Sequence, residues 1–210
     1  MSKPRSTTCN ICGMEYIPEL QNNFRQHNEY HDKIVNGLRT SPLKSDCVIY
    51  SQSDKRITVI SQLSPMEQRK LAEEVARYAR KDTHYGAEQL FDDKMEVRVF
   101  LLYKKDRIIG FLLMDKHYHV WLASWGDLDA NKEPKEIPHH HPIWTVCFIW
   151  ILKKHRRLGL AKIVLNKAMD YLRCSPDCIA WYTSSSPPPF TPSGEAFVRN
   201  CCPREFYIAK

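Results

Sequence analysis

The sequence predicts a mixed α/β domain that carries a small metal-binding module at its N-terminus. Three observations predict it. From Asp46 onward, short β-branched segments alternate with segments of helical periodicity. An apolar run over 144–152 passes through a basic turn straight into an amphipathic stretch. The first 31 residues hold Cys9-x2-Cys12 followed by His27-x3-His31.

The metal pattern comes first along the chain. A two-residue gap lets a tight turn aim the thiolates of Cys9 and Cys12 at one ion. His27 and His31, four apart, present two imidazoles on one helical face, and together the four close a tetrahedral Zn2+ site. Gly13 suits the knuckle after the second cysteine, where a positive φ is often needed. The helix carrying the histidines is expected over about 23–35. It is poor in arginine and lysine, and a single finger reads only about three base pairs. Direct DNA binding is therefore expected to be weak, and a structural or protein-contact role is preferred. This module occupies 1–36 and a linker follows over 37–46.

The larger domain is expected over 47–210. Residues 47–50 and 56–60 read as short strands. Ser64, Pro65 and Glu67 form a helix-start signal, with apolar Leu71, Val75 and Tyr78 carrying that helix to about Arg80. Residues 98–103 and 107–114 form the clearest hairpin around a polar 104–106 tip. The Pro-rich stretch 126–142, with three consecutive histidines from His139, reads as a long surface loop of polar filler. A buried strand over 144–152, a helix over 158–172 and a strand over 179–183 follow. A Ser/Pro loop at 184–189 and a last strand over 206–209 complete the order.

Composition narrows the function classes. Hydrophobic residues make up 43% and charged residues 26%, as in folded globular chains. Nothing approaches eighteen consecutive apolar residues and the first thirty lack a signal-peptide core, so no membrane partner is expected. Eight cysteines without an export signal point to a reducing compartment, with metal binding or burial rather than disulfides. Cys174, Cys178, Cys201 and Cys202 have no evident partner pair and read as packing. A formal charge of +7 favours polyanionic partners such as chromatin or a phosphate-rich cofactor.

The turn after the long apolar strand carries the chemistry. Arg156-x-x-Gly159-x-Ala161 opens a helix, where unpaired N–H groups and the positive dipole end face an anion. Small residues at Gly159 and Ala161 let the backbone come close, and flanking basic side chains add charge. The pattern has the form of the pyrophosphate loop of GNAT acetyltransferases.

These motifs together resemble the cohesin N-acetyltransferase family. The finger resembles theirs through Cys9-x-x-Cys12-Gly13-Met14-x-Tyr16 and His27-x-x-x-His31. Ile149-Trp150-Ile151 is similar to the family's Ile-Trp-Val, and Thr191-Pro192-Ser193-Gly194 to its Thr-Pro-x-Gly segment. The resemblance implies a GNAT fold and acetyl transfer from acetyl-CoA to lysines on the SMC-type ATPase subunit of cohesin, in the nucleus at the replication fork. It implies that Ile149, Trp150 and Ile151 hold the pantetheine arm and that Arg156, Arg157, Leu158, Gly159, Leu160, Ala161 and Lys162 surround the pyrophosphate. Thr191, Pro192 and Ser193 would line the cofactor's other side.

The departures concern catalysis. The family's Ser-Arg before Ile-Trp-Val is Cys147-Phe148 here, and an Asp near the C-terminal segment is replaced by Pro189. Cys147 is the candidate nucleophile by position, although a cysteine on an apolar strand is usually inert packing. Direct transfer without an acyl-enzyme is the expected route, with an N–H near Ile149 as the oxyanion contact. Two other readings use the same residues: an inactive zinc-finger chromatin-binding protein, and a GNAT enzyme acting on another protein amine.

Overall fold

The computed structural model describes residues 4–83, 90–91, 96–130, 132–183 and 190–209. The N-terminal module is a two-stranded hairpin, β1 (Thr7–Thr8) and β2 (Glu15–Tyr16), followed by α1 (Gln21–Asn36). The 37–46 stretch, read as a linker, holds β3 (Leu38–Arg39), which adds to the main sheet. Strands β4 (Cys47–Gln52) and β5 (Lys55–Ser61) form a hairpin, and α2 (Met66–Thr83) runs one turn beyond the expected Arg80. Ala72, Val75, Ala76 and Ala79 make its buried stripe.

The hairpin expected from 98–114 is β6 (Arg98–Lys104) with the first half of β7 (Arg107–Ser124). Sequence reasoning ended β7 at Met114, and it continues for ten more residues. A short helix α3 (Trp125–Asp129) follows, started by Ser124, whose hydroxyl accepts the Asp127 N–H at 3.1 Å. Residues 135–142 are not a loop but the first half of β8 (Lys135–Ile151), paired with β7 from His119↔Pro138 to Leu122↔Lys135. Polar and proline residues are tolerated because, among the described residues, no strand pairs with the far side of that segment. His139 lies edge-on to Tyr207, ring centroids 5.3 Å apart.

The expected second helix is α4 (Leu160–Leu172), and the later strands are β9 (Ala180–Tyr182) and β10 (Glu205–Ala209). Between these two strands lies α5 (Pro192–Cys201), a helix missed in the sequence reading. Its signal was present: Thr191 caps it by accepting the Gly194 N–H at 3.2 Å, with Pro192 at the first helical position.

The main sheet runs β10-β9-β8-β7-β6-β5-β4, with β10 also pairing the far end of β7. Most pairs are antiparallel; β8–β9 and β9–β10 are parallel. Leu160, Val164, Leu165, Ala168 and Met169 of α4 are buried, the four larger side chains contributing about 1.5–3 kcal/mol each. The first module docks on the sheet. Arg107 donates to the Asp32 carboxylate at 2.6 Å and to the Gly37 carbonyl at 2.9 Å, and Lys154 donates to Asn36 at 2.6 Å.

Candidate active site

The site begins with an irregularity in β8. Leu113 faces Phe148 and Met114 faces Val146, so Cys147 is an extra residue without a partner on β7. Such bulges bend a strand and re-aim its backbone groups. On its other side β8 pairs with β9 only at Thr145↔Ala180 and Val146↔Trp181. Bulge and parting coincide. From Cys147 to Ile151 the edge facing β9 therefore offers N–H and C=O groups with no strand partner among the described residues, a template for an extended amide-bearing chain. Ile149 is half-buried; Trp150 and Ile151 are buried at 6% and 7% exposure.

The strand leads into the basic turn through a 3-10 turn at Lys153–His155. Arg157 (φ 64°) and Gly159 (φ 74°) both lie in the left-handed region, and α4 starts at Leu160. Left-handed residues of this kind let successive N–H groups converge on an anion. The first helical N–H groups, from Leu160, Ala161 and Lys162, have no partner within the helix. A Cβ built on Gly159 meets no atom within 4 Å, so the space before the helix is open. Leu158 is 64% exposed there, and Arg157 and Lys162 are exposed as well.

Arg156 plays a part that sequence reasoning did not foresee. Its Nε donates to the Ile151 carbonyl at 2.8 Å and its terminal nitrogen pairs with the Asp82 carboxylate. The same Asp82 oxygen accepts the Trp150 indole N–H at 2.8 Å. The end of α2 thus clamps the strand and the turn together. Thr191, Pro192 and Ser193 start α5 and are exposed; α5 packs on β9 through Phe197 against Trp181, centroids 5.9 Å apart. Residues 184–189, including Pro189, lie outside the described residues.

At the bulge, the Cys147 thiol donates to Asp115 Oδ1 at 2.8 Å. Burial, and then the Asp115 charge, push this thiol well above its ordinary pKa. A thiol so held is a proton donor rather than a nucleophile.

In the N-terminal module the ligating atoms of Cys9, Cys12, His27 and His31 all lie within 4.8 Å of one another. Gly13 has φ 71°, as expected of the knuckle, and its N–H donates to the Cys9 carbonyl at 2.9 Å. Backbone N–H groups, that of Cys12 first, and the His27 ring lower the Cys9 pKa to about 5, whereas burial raises that of Cys12. His27 is buried at 7% exposure, stacked on Tyr16 at 3.8 Å, and neither of its ring nitrogens has a hydrogen-bond partner. A buried imidazole without a partner is costly unless a metal takes its lone pair, so these residues fit a structural zinc. Cys174, Cys178, Cys201 and Cys202 enter no metal-competent group among the described residues.

Residues 65–188 match the acetyltransferase (GNAT) family. The chain belongs to the GNAT acetyltransferases. It is 24% identical over 94% of its length to N-acetyltransferase ESCO2 of Danio rerio, and 22% identical over 78% to N-acetyltransferase eso1 of Schizosaccharomyces pombe. It spans 34% and 20% of the lengths of those relatives. The acetyltransferase domain of xEco2, solved with a CoA conjugate, shares the fold at TM-score 0.62 and 18% identity, covering 80% of this chain and 98% of that domain.

Proposed function

We propose that this acetyltransferase moves acetyl from acetyl-CoA to lysines on the SMC-type ATPase head of cohesin, in the nucleus. The observation that carries the reading is the open edge of β8 from Cys147 to Ile151, leading into the turn before α4. Ile149 and the Ile151 N–H would pair with the amides of pantetheine, with Trp150, whose backbone faces β7, between them. The N–H groups of Leu160, Ala161 and Lys162 would hold the pyrophosphate, with Arg157 and Lys162 adding charge. Thr191, Pro192 and Ser193 would flank the cofactor from the β9 side. Homology to ESCO2 and eso1, and the CoA conjugate held by xEco2, support the choice of cofactor and substrate.

Transfer is direct in this reading. A neutral lysine amine attacks the thioester, and an N–H near Ile149, re-aimed by the bulge, steadies the oxyanion. The protonated state of Cys147 speaks against an acyl-enzyme. The first 36 residues act as a zinc finger held by Cys9, Cys12, His27 and His31, a structural unit on the acetyltransferase domain of 47–210. Zinc supplies cross-linking there and no catalysis.

The test is acetyl transfer from acetyl-CoA onto a cohesin head fragment, read as CoA release and as acetyl-lysine by mass spectrometry. Binding of acetyl-CoA without transfer would favour the reading as an inactive chromatin-binding protein. Transfer to histone tails in preference to cohesin would favour an enzyme for another protein amine.

A further inference from the structure

The reaction needs a group to take a proton from the substrate ammonium, whose ordinary pKa is about 10.4. Asp115 and His117, on the same face of β7, stand where β8 bulges and leaves β9. Asp115 lies opposite Thr145, the residue with which β8 also pairs Ala180 of β9. Its Oδ1 accepts the Cys147 thiol at 2.8 Å and lies 2.8 Å from His117 Nε2. The side chains of His117 and Asp115 are 18% and 15% exposed, shielded but reachable. From β9, Tyr182 approaches His117 with ring centroids 6.2 Å apart. Lys116, between the two, pairs instead with Glu96 at 2.7 Å and lies over Trp144. The titratable groups that face the pair are therefore Cys147 from β8 and Tyr182 from β9.

We propose that His117, oriented by Asp115, is the proton acceptor for the incoming lysine amine. The inference rests on the acetyl-CoA reading of the cleft. Asp115 Oδ1 stands 2.8 Å from Nε2 without the alignment of a hydrogen bond, and Nε2 is buried with no other partner, so an uncharged ring keeps its proton on Nε2 beside the carboxylate and its lone pair on Nδ1. The ammonium gives one proton to Nδ1, and the freed Nζ attacks the thioester carbonyl carbon. The C–S bond breaks as the tetrahedral intermediate collapses. The second proton lost by nitrogen goes to the departing CoA sulfur, and the imidazolium returns the first to solvent. Products are an acetyl-lysine, CoA thiol and one proton. Cys147 keeps its proton throughout and serves as a donor that fixes Asp115, a positioning residue.

The test compares the full chain with H117A and D115N at saturating acetyl-CoA, across pH 6 to 9, with acetyl-CoA affinity measured by calorimetry. H117A is expected to lower kcat by about 10²–10⁴-fold at neutral pH with the affinity for acetyl-CoA kept. Added imidazole should restore part of the rate. D115N, close to isosteric, is expected to lower kcat with acetyl-CoA affinity kept, because His117 loses the carboxylate beside Nε2. If both variants bind acetyl-CoA and keep the wild-type kcat and pH profile, the proposal is overturned and the cofactor reading stands. A loss of rate in H117A that added imidazole does not restore also overturns it. Wild-type protein that takes up no acetyl-CoA overturns the cofactor reading, and this proposal with it.

Discussion

Gly159 separates the demands of folding from those of an anion site. It sits at φ 74° just before α4, and a side chain placed there has open space within 4 Å. Gly159→Ala therefore costs only the left-handed backbone, about 1 kcal/mol. For a chain of this size that lowers Tm by about 2–4 °C. Gly159→Asp costs no more, since aspartate is among the residues that tolerate this conformation best.

Bound pyrophosphate changes the comparison. A carboxylate about 5 Å from one phosphate charge costs about 3 kcal/mol at an effective dielectric of 20. That is about a hundredfold in Kd. The alanine methyl only blocks the close approach of the backbone and should cost several-fold. Calorimetric titration of acetyl-CoA into the two variants, beside a thermal melt of each, reads both quantities. The expected pattern is similar Tm values and widely different affinities. A folded G159D protein that binds acetyl-CoA within threefold of wild type would show that no phosphate approaches this turn.

Three further outcomes follow from other parts of the molecule. Asp82→Asn removes the charge partner of Arg156 and leaves an acceptor for the Trp150 indole; about 1–2 kcal/mol of stability should go, with acetyl-CoA affinity falling about tenfold. Equal melts and equal affinities would mean that the clamp does not hold the turn. Purified protein should carry about one zinc per chain by elemental analysis and H27A far less, with loss of helical signal; full zinc in H27A would exclude His27 as a ligand. Arg107 beside Asp32 holds that carboxyl below its ordinary value, so the stabilisation is present above the unfolded-state pKa near about 4 and is lost as pH falls through the lower folded value. Asp32→Asn should thus cost about 0.5 kcal/mol in urea melts at pH 7, the pair being partly exposed, and nothing at pH 2; equal costs at both pH values would refute the pairing.

What was legible in the sequence was what periodicity and spacing encode. The 144–152 run and the α4 stripe were readable because burial on one strand or one helix face imposes a local pattern. The left-handed Gly13 was readable because few other residues suit that backbone, whereas Gly159 was read only as a small residue. The second half of β7 and the first half of β8 were not, since His119, Pro138 and the histidines from His139 do not look like a strand. They pair because they face each other and because one flank of β8 stays unpaired there, which is tertiary information. The helix at α5 was legible too, through Thr191 as its cap and Pro192 at the first helical position. The Asp115–His117–Cys147 group combines residues about thirty apart, with no local pattern to mark them.

Arg156 shows what this difference means for the chemistry. As a motif residue it counts as positive charge for an anion. In the fold its guanidinium is spent on Asp82 and on the Ile151 carbonyl, so its charge is largely compensated before any ligand arrives. The attraction for a pyrophosphate then falls on the backbone N–H groups at the α4 mouth and on the exposed Arg157 and Lys162. Arg156 contributes by geometry instead: it ties the last strand carbonyl to α2 and so fixes where the turn begins. The open β8 edge and the α4 mouth must be held in register for one extended ligand to use both. In this structure a salt bridge between Arg156 and Asp82 does that holding, with the Trp150 indole as its third member.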